Sequence, residues 1–202
     1  MFRRGKEGAS ARLVRFDTDR PAVEAARHDP RAFEPLYRKY VAQVYSFALY
    51  ETRDHHAAED LTATTFMRAL AGLPAFREQA EAPQSSFRVW LFQIARHALA
   101  NERRRARRRP EAPIELAAYM PASDDVAAQV AGRDELSRAW SVIEALPDDR
   151  RQALLLRFVN EMSAAEIGHV IGRSEGAVRV LIHRALRGVA RQLEGGAGRR
   201  AD

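Results

Sequence analysis

The chain has no cysteine. Disulfides, thiolate zinc sites and cysteine nucleophiles are thereby excluded, and the absence fits a reducing compartment. Lysine is almost missing too: Lys6 and Lys39 are the only lysines among 33 basic residues. The planar arginine fork suits phosphate and guanine better than an ammonium does, although genome base composition produces the same bias. No apolar run approaches the about 20 residues of a membrane-spanning helix. The basic start, MFRRGKEGASARLVRFDTDR, lacks the apolar centre of a secretion signal. No sustained alternation of apolar and polar residues argues for a strand. These absences lead to the expectation of a soluble, cytoplasmic, all-α protein with no membrane insertion.

What is present points to an acidic partner. At 202 residues, with 46% apolar and 30% charged residues, the chain can form two small domains or one larger one. Its net charge of +6 places nucleic acid ahead of a membrane surface as partner.

The most informative stretch is MSAAEIGHVIGRSEGAVRVLIHRALRGVARQL, from Met162 to Leu193. Ser163 followed by Glu166 is a capping-box pattern that opens a short helix with Ile167, Val170 and Ile171 on one side. Gly172 suits a left-handed corner, and Ser174 with Glu175 suits the start of a second helix. Val178, Leu181, Ile182, Ala185 and Val189 form the apolar stripe of that helix. The pattern is a helix-turn-helix, whose second helix presents its N-terminal residues to base edges. The expected DNA-facing set is Arg173, Ser174, Glu175, Ala177, Arg179, Val180, His183, Arg184 and Arg187. Arg173 and Arg179 can bond guanine in the bidentate manner, and the later arginines can meet phosphates.

Upstream, residues 1–20 read as a flexible tail, and a short helix is expected over Pro21–His28. Phe33, Leu36, Tyr37, Tyr40, Val44, Phe47 and Ala48 recur at helical spacing, with Pro35 inside the segment as an expected bend. Asp54 is placed to cap a helix ended by Gly72, with Ala58, Leu61, Thr62, Phe66 and Ala69 buried. Asp60, Ala63, Thr64 and Met67 then face outward. From Ser86 the helix FRVWLFQIARHALANERRRARRR buries Phe87, Trp90, Leu91, Ile94, Ala95, Ala98 and Leu99 and ends in an arginine cluster suited to phosphate. Residues 110–125 are rich in proline and read as a linker; 126–194 resume helical spacing, with a turn expected at Pro147-Asp148-Asp149 and a tail over 195–202. His55-His56, Asp124-Asp125 and Asp148-Asp149 read as solvated charge, so no metal, cofactor or catalytic set is expected.

Taken in order, AEDLTATTF (Ala58–Phe66), FRVWLFQIARHALA (Phe87–Ala100) and LPDDRRQALLLRFVNEMSAAEIGHVIGRSEGAVRVLIHRAL (Leu146–Leu186) resemble the extracytoplasmic-function group of bacterial sigma factors. The resemblance implies two helical domains joined by a flexible linker: region two over 21–109 and region four over 126–194. It implies a factor that binds core RNA polymerase and directs it to promoters, with DNA opening and initiation, for a stress- or signal-responsive set of genes. Asp60, Ala63, Thr64 and Met67 would dock on the clamp helices of the largest subunit, and the second domain would meet the flap. Phe76, Arg88, Arg96, His97, Asn101, Arg103 and Arg104 would contact the minus-ten element and its phosphates. The helix-turn-helix would read the minus-thirty-five element. Members of the group are commonly held inactive by an anti-sigma factor, and no residue marks such a partner here. The chain departs from the pattern at Ala63-Thr64, where Gln-Glu is frequent, at Leu70, where tryptophan is, and near His97, where asparagine is. Two rivals remain at this stage: a helix-turn-helix regulator binding an operator without polymerase, and a nucleic-acid enzyme, which would need clustered carboxylates.

Overall fold

In the computed structural model, which describes residues 19–78, 85–108 and 139–197, every regular element is helical. Helix α1 spans Asp19–His28. The Asp19 carboxylate accepts a hydrogen bond from Lys39 Nζ at 2.6 Å and another from the Tyr40 hydroxyl, tying α1 to the next helix. Burial raises the Tyr40 phenol pKa, and the neighbouring Asp19 carboxylate raises it further. Asp29 then caps a 3₁₀ turn over Pro30–Phe33, its Oδ1 accepting from Arg31 N–H at 2.9 Å.

The bend expected at Pro35 does not occur. Helix α2 spans Glu34–Thr52, so Pro35 lies in its first turn, where the missing N–H has no intrahelical partner to lose. Helix α3, His55–Gly72, begins where Ala57 N–H donates to Asp54 Oδ1 at 2.7 Å. All five residues expected on its inner stripe are buried, and Thr65 joins them by donating its hydroxyl to the Leu61 carbonyl. A 3₁₀ turn over Leu73–Ala75 follows. Glu78 accepts from Ser86 N–H at 2.8 Å, just before the start of α4, Phe87–Arg108.

Edge-on aromatic contacts hold these helices together. Phe33 meets Phe66 and Phe87 at 6.3 and 6.2 Å, and Phe47 meets Phe92 at 5.8 Å. Phe92 is fully buried although it falls off the stripe read from the sequence. Each such ring, fully buried, stabilises the fold by about 1.5–3 kcal/mol.

In the second set of helices, residues 139–144 are helical and α5 spans Asp148–Leu154. Asp148 and Asp149 therefore form the first turn of a helix rather than a turn between helices. The next five residues, Leu155–Val159, widen into a π-helical turn, and Asn160 N–H reaches back to the Leu155 carbonyl at 3.1 Å. Helix α6 covers Ala164–Ile171 and α7 covers Glu175–Ala197. The backbone of α7 is thus helical beyond Gly195, where the tail was expected to begin. The expected N-terminal tail up to residue 18, the linker, the pattern over 126–138 and the last five residues lie outside the described residues.

The two sets are docked on each other. Ala153, Leu156, Met162, Ile167, Val170 and Val178 belong to the same apolar core as Phe87, Leu91 and Phe47. Helix α4 packs on both α3 and α6, and α2 packs on the π-helical turn. Beyond the core, Tyr50 stacks on Trp140 at 4.5 Å, and Arg53 pairs with Glu144.

Candidate nucleic-acid interface

The helix-turn-helix forms as its residues dictate. Both halves of the Ser163–Glu166 capping box are present, with Ser163 N–H donating to Glu166 Oε2 at 2.8 Å. Gly172 takes φ 71°, the left-handed corner read from the sequence. A second glycine requirement was missed: a Cβ on Gly168 would lie 2.6 Å from the Arg173 carbonyl, so the corner closes only over a bare backbone. Ser174 caps α7 by accepting from Ala177 N–H at 3.3 Å. Ile167, Val170, Ile171, Val178 and Ala185 are buried beneath it.

The expected DNA-facing residues of this element fall on one exposed side. Ser174, Glu175, Ala177, Arg179, Val180, His183, Arg184 and Arg187 are all exposed. Arg179 pairs with Glu175 one turn earlier at 2.5 Å, which holds its guanidinium along the helix. Arg173 is exposed but engaged: its Nη2 lies 3.0 Å from Asp149 Oδ2.

Helix α4 is less open than its sequence suggests. His97 and Arg104 are exposed, with Arg104 donating to Asn101 Oδ1 at 3.3 Å. Arg88 is mostly buried, donating to Gln43 Oε1 at 2.8 Å and to the Asn160 carbonyl, with Glu166 at 3.5 Å. Arg96 donates from Nε to Gln152 Oε1 at 2.9 Å and lies 3.3 Å from Asp149. Arg103 pairs with Glu51 and, at 3.3 Å, with Asp148. A cleft of about 350 Å³ between α4 and α5 is lined by Arg96, Arg103 and Arg104 and by Asp148, Asp149 and Gln152.

Phe76 corrects an expectation. It was placed among the minus-ten contacts, but it is buried, with ring centres 4.7 Å from Trp90 and 6.1 Å from Phe87. Its ring is committed to the core and offers no free face to a base.

Glu51 is the main residue that sequence reading passed over. Its side chain is 0% exposed, between Arg103 and Arg151, whose Nη2 lies 3.2 Å from Glu51 Oε2. A signal existed: Val44, Phe47, Ala48 and Glu51 continue one helical stripe, which points the carboxylate inward. For Arg151, burial works against the charge, but attraction and hydrogen bonds from Glu51 and Asp148 outweigh it and move its pKa upward. Asp148 is exposed, as read, and Asp149 is half-buried; between them they pair with four arginines, which the reading as solvated charge did not foresee.

On the far face of α3, Asp60, Ala63 and Met67 are exposed and Thr64 is half-buried. Met67 is 71% exposed with Leu70, three residues on, at 38%, two large apolar side chains on the outer side of the helix. Among the described residues no group of three or more His, Asp or Glu side chains is placed to hold a metal ion, and no helix is long and apolar enough to cross a membrane.

Comparison with known proteins gives these faces a context. Residues 36–109 match the sigma-70 region 2 family and residues 136–187 match sigma-70, region 4. The chain is 32% identical over 187 residues to the ECF RNA polymerase sigma factor BldN of Streptomyces coelicolor, covering 91% of this chain and 67% of that one. It is 31% identical to the ECF RNA polymerase sigma factor SigM of Bacillus subtilis, over 75% of this chain and 89% of that one. It is 33% identical to the ECF RNA polymerase sigma factor SigC of Mycobacterium tuberculosis, over 81% and 84%. Its fold is similar to that of CnrH, solved in complex with the cytosolic domain of CnrY, with a TM-score of 0.64 at 24% identity, over 88% of this chain and 97% of that one.

Proposed function

This chain belongs to the extracytoplasmic-function family of RNA polymerase sigma factors, and on that premise we propose how its faces divide the work of initiation. It binds core RNA polymerase and directs it to promoters. Region 2 and region 4 standing in order in one chain is the observation that carries this reading. An operator-binding regulator acting alone has no use for a region 2, and that alternative is not favoured.

In the division we propose, Asp60, Ala63, Thr64 and Met67 dock on the polymerase clamp helices. The exposure of Met67 and Leu70 supports this, because an apolar spot on α3 gains most by being covered. Helix α7 reads the minus-thirty-five element through Arg173 and Arg179, with Arg184 and Arg187 on phosphates. Helix α4 grips the minus-ten region through Arg88, Arg96, Arg103 and Arg104, with His97 and Asn101 alongside. We take the domain limits in this reading as 21–109 and 126–194, with the first and last helices running slightly past them, to Asp19 and Ala197. The flap of the polymerase and an anti-sigma factor are the further partners of this reading.

Strand opening needs no chemical group from the chain. Capture of an unpaired base contributes about 1–3 kcal/mol, and phosphate contacts hold the opened strand. Each contact alone is modest, and two linked contacts gain affinity only where geometry lets both engage. The polymerase supplies that geometry. Run-off transcription with core polymerase tests the proposal: addition of the chain should yield transcripts from a defined start. Equal background initiation with and without it would overturn the reading.

A further inference from the structure

The outward side of α7 carries a large residue that can neither pair with a phosphate nor hydrogen-bond to a base. Val180 is 49% exposed and stands nearly opposite the buried stripe of Val178, Ala185 and Val189. It shares its side of the helix with Gly176, His183 and Arg187, all of them exposed. A helical side chain leans toward the N-terminus and lies over the turn before its own. For Val180 that turn holds Gly176, with no side chain, and Ala177, with a single methyl. A Cβ added at Gly176 would meet nothing within 4 Å, so packing inside the chain does not call for glycine there. Glycine inside a helix is less favourable than alanine. Here it leaves the methyls of Val180 uncovered at the end of α7 that the proposed function turns toward bases. The neighbouring Arg179 does not cover them either, since its guanidinium lies 2.5 Å from Glu175 on the flank of the helix.

We propose that Val180 reads a thymine of the minus-thirty-five element by apolar contact with its 5-methyl group. This rests on the functional assignment above and adds the base that one position must carry. In the major groove the thymine methyl is an apolar group at a base edge, among edges otherwise made of donors and acceptors. An isopropyl group set against a donor or acceptor strips its water and returns no hydrogen bond. Set against a methyl, both surfaces leave water together, and thymine is preferred. The exposed Arg179, Arg184 and Arg187 around Val180 complement a polyanion, which makes DNA the occupant of this face rather than an apolar protein segment.

The probe is a promoter duplex whose upstream element has been selected from randomised sequence by core polymerase carrying the chain. Each thymine of that element, on either strand, is replaced singly by deoxyuridine, which keeps every hydrogen-bonding group and lacks only the methyl. At one position the replacement should lower affinity of the polymerase complex about fourfold, the effect of leaving one methyl group in water. Val180→Ala should bind the thymine and uracil probes equally at that position, and Val180→Ile should keep the preference. Gly176→Leu puts a strong helix former where Val180 leans. It should lose the preference without lowering the midpoint of urea unfolding.

An element in which no thymine responds to uracil overturns the proposal, and so does a preference that survives in Val180→Ala or Gly176→Leu. If Val180→Ala weakens binding by the same factor on thymine and uracil probes, Val180 faces a protein partner and the proposal is again overturned. Run-off transcription on the same probes separates this from the functional reading. Chain-dependent transcripts of equal yield with thymine and uracil reject the methyl contact alone. No chain-dependent transcript from any probe rejects the promoter assignment, and the methyl contact with it.

Discussion

Single residues divide, in this account, into those proposed to read DNA and those that hold the reader in shape, and for the aromatics burial separates the two. Phe76, seated on Trp90, belongs to the second kind. Phe76→Ala should cost about 3–5 kcal/mol in urea unfolding, the usual loss for an emptied aromatic site. Unchanged stability with impaired promoter opening would return it to the DNA-contacting class. Gly168 is of the same kind. Gly168→Ala must displace the Arg173 carbonyl from 2.6 Å, and overpacking of this sort costs about 1–3 kcal/mol. The midpoint of unfolding should fall with its slope unchanged; an unmoved midpoint would show that the corner yields freely. Sequence pattern located Gly172 because a helix end needs a left-handed residue there. It could not locate Gly168, whose constraint comes from a carbonyl five residues away across a corner. Nor could it reveal that Phe76 turns inward, since a single aromatic in a loop carries no period.

At the scale of elements, caps and apolar stripes were legible because they are local. The Ser163–Glu166 box, the Asp54 cap and the stripe of α3 stand where spacing placed them. Pro35 and Asp148 were misplaced by one structural step each, because a 3₁₀ turn before α2 and an early start of α5 depend on neighbouring packing rather than on propensity. The exposed sides of α7 and α4 should behave differently on DNA. Arg179→Ala should cost about 1–3 kcal/mol at one position of the minus-thirty-five element and relax the choice of base there. Equal loss on every upstream sequence, measured with the polymerase complex, would reassign Arg179 to phosphate. Arg104, exposed near the end of α4, should do the reverse. Arg104→Ala should weaken binding uniformly and lower the salt slope by about one unit. A slope equal to that of the unsubstituted chain would contradict a phosphate role.

The molecule as a whole shows what no local pattern could. Composition and the ordered motifs predicted two helical heads on a tether, and the described residues are helical as expected, apart from the element limits at Pro35, Asp148 and Gly195. Their docking through Glu51, Arg103 and Arg151 was hidden, because residues 52 or 100 positions apart leave no trace in spacing. On the proposed assignment, a chain in which Arg88, Arg96 and Arg103 are engaged by its own carboxylates and carbonyls should bind DNA poorly by itself and well only with the polymerase. The direct measurement is promoter affinity at fixed low salt, with and without core polymerase. The account predicts sequence-specific binding only with the polymerase present. A purified chain that selects its promoter duplex equally well unaided would contradict it.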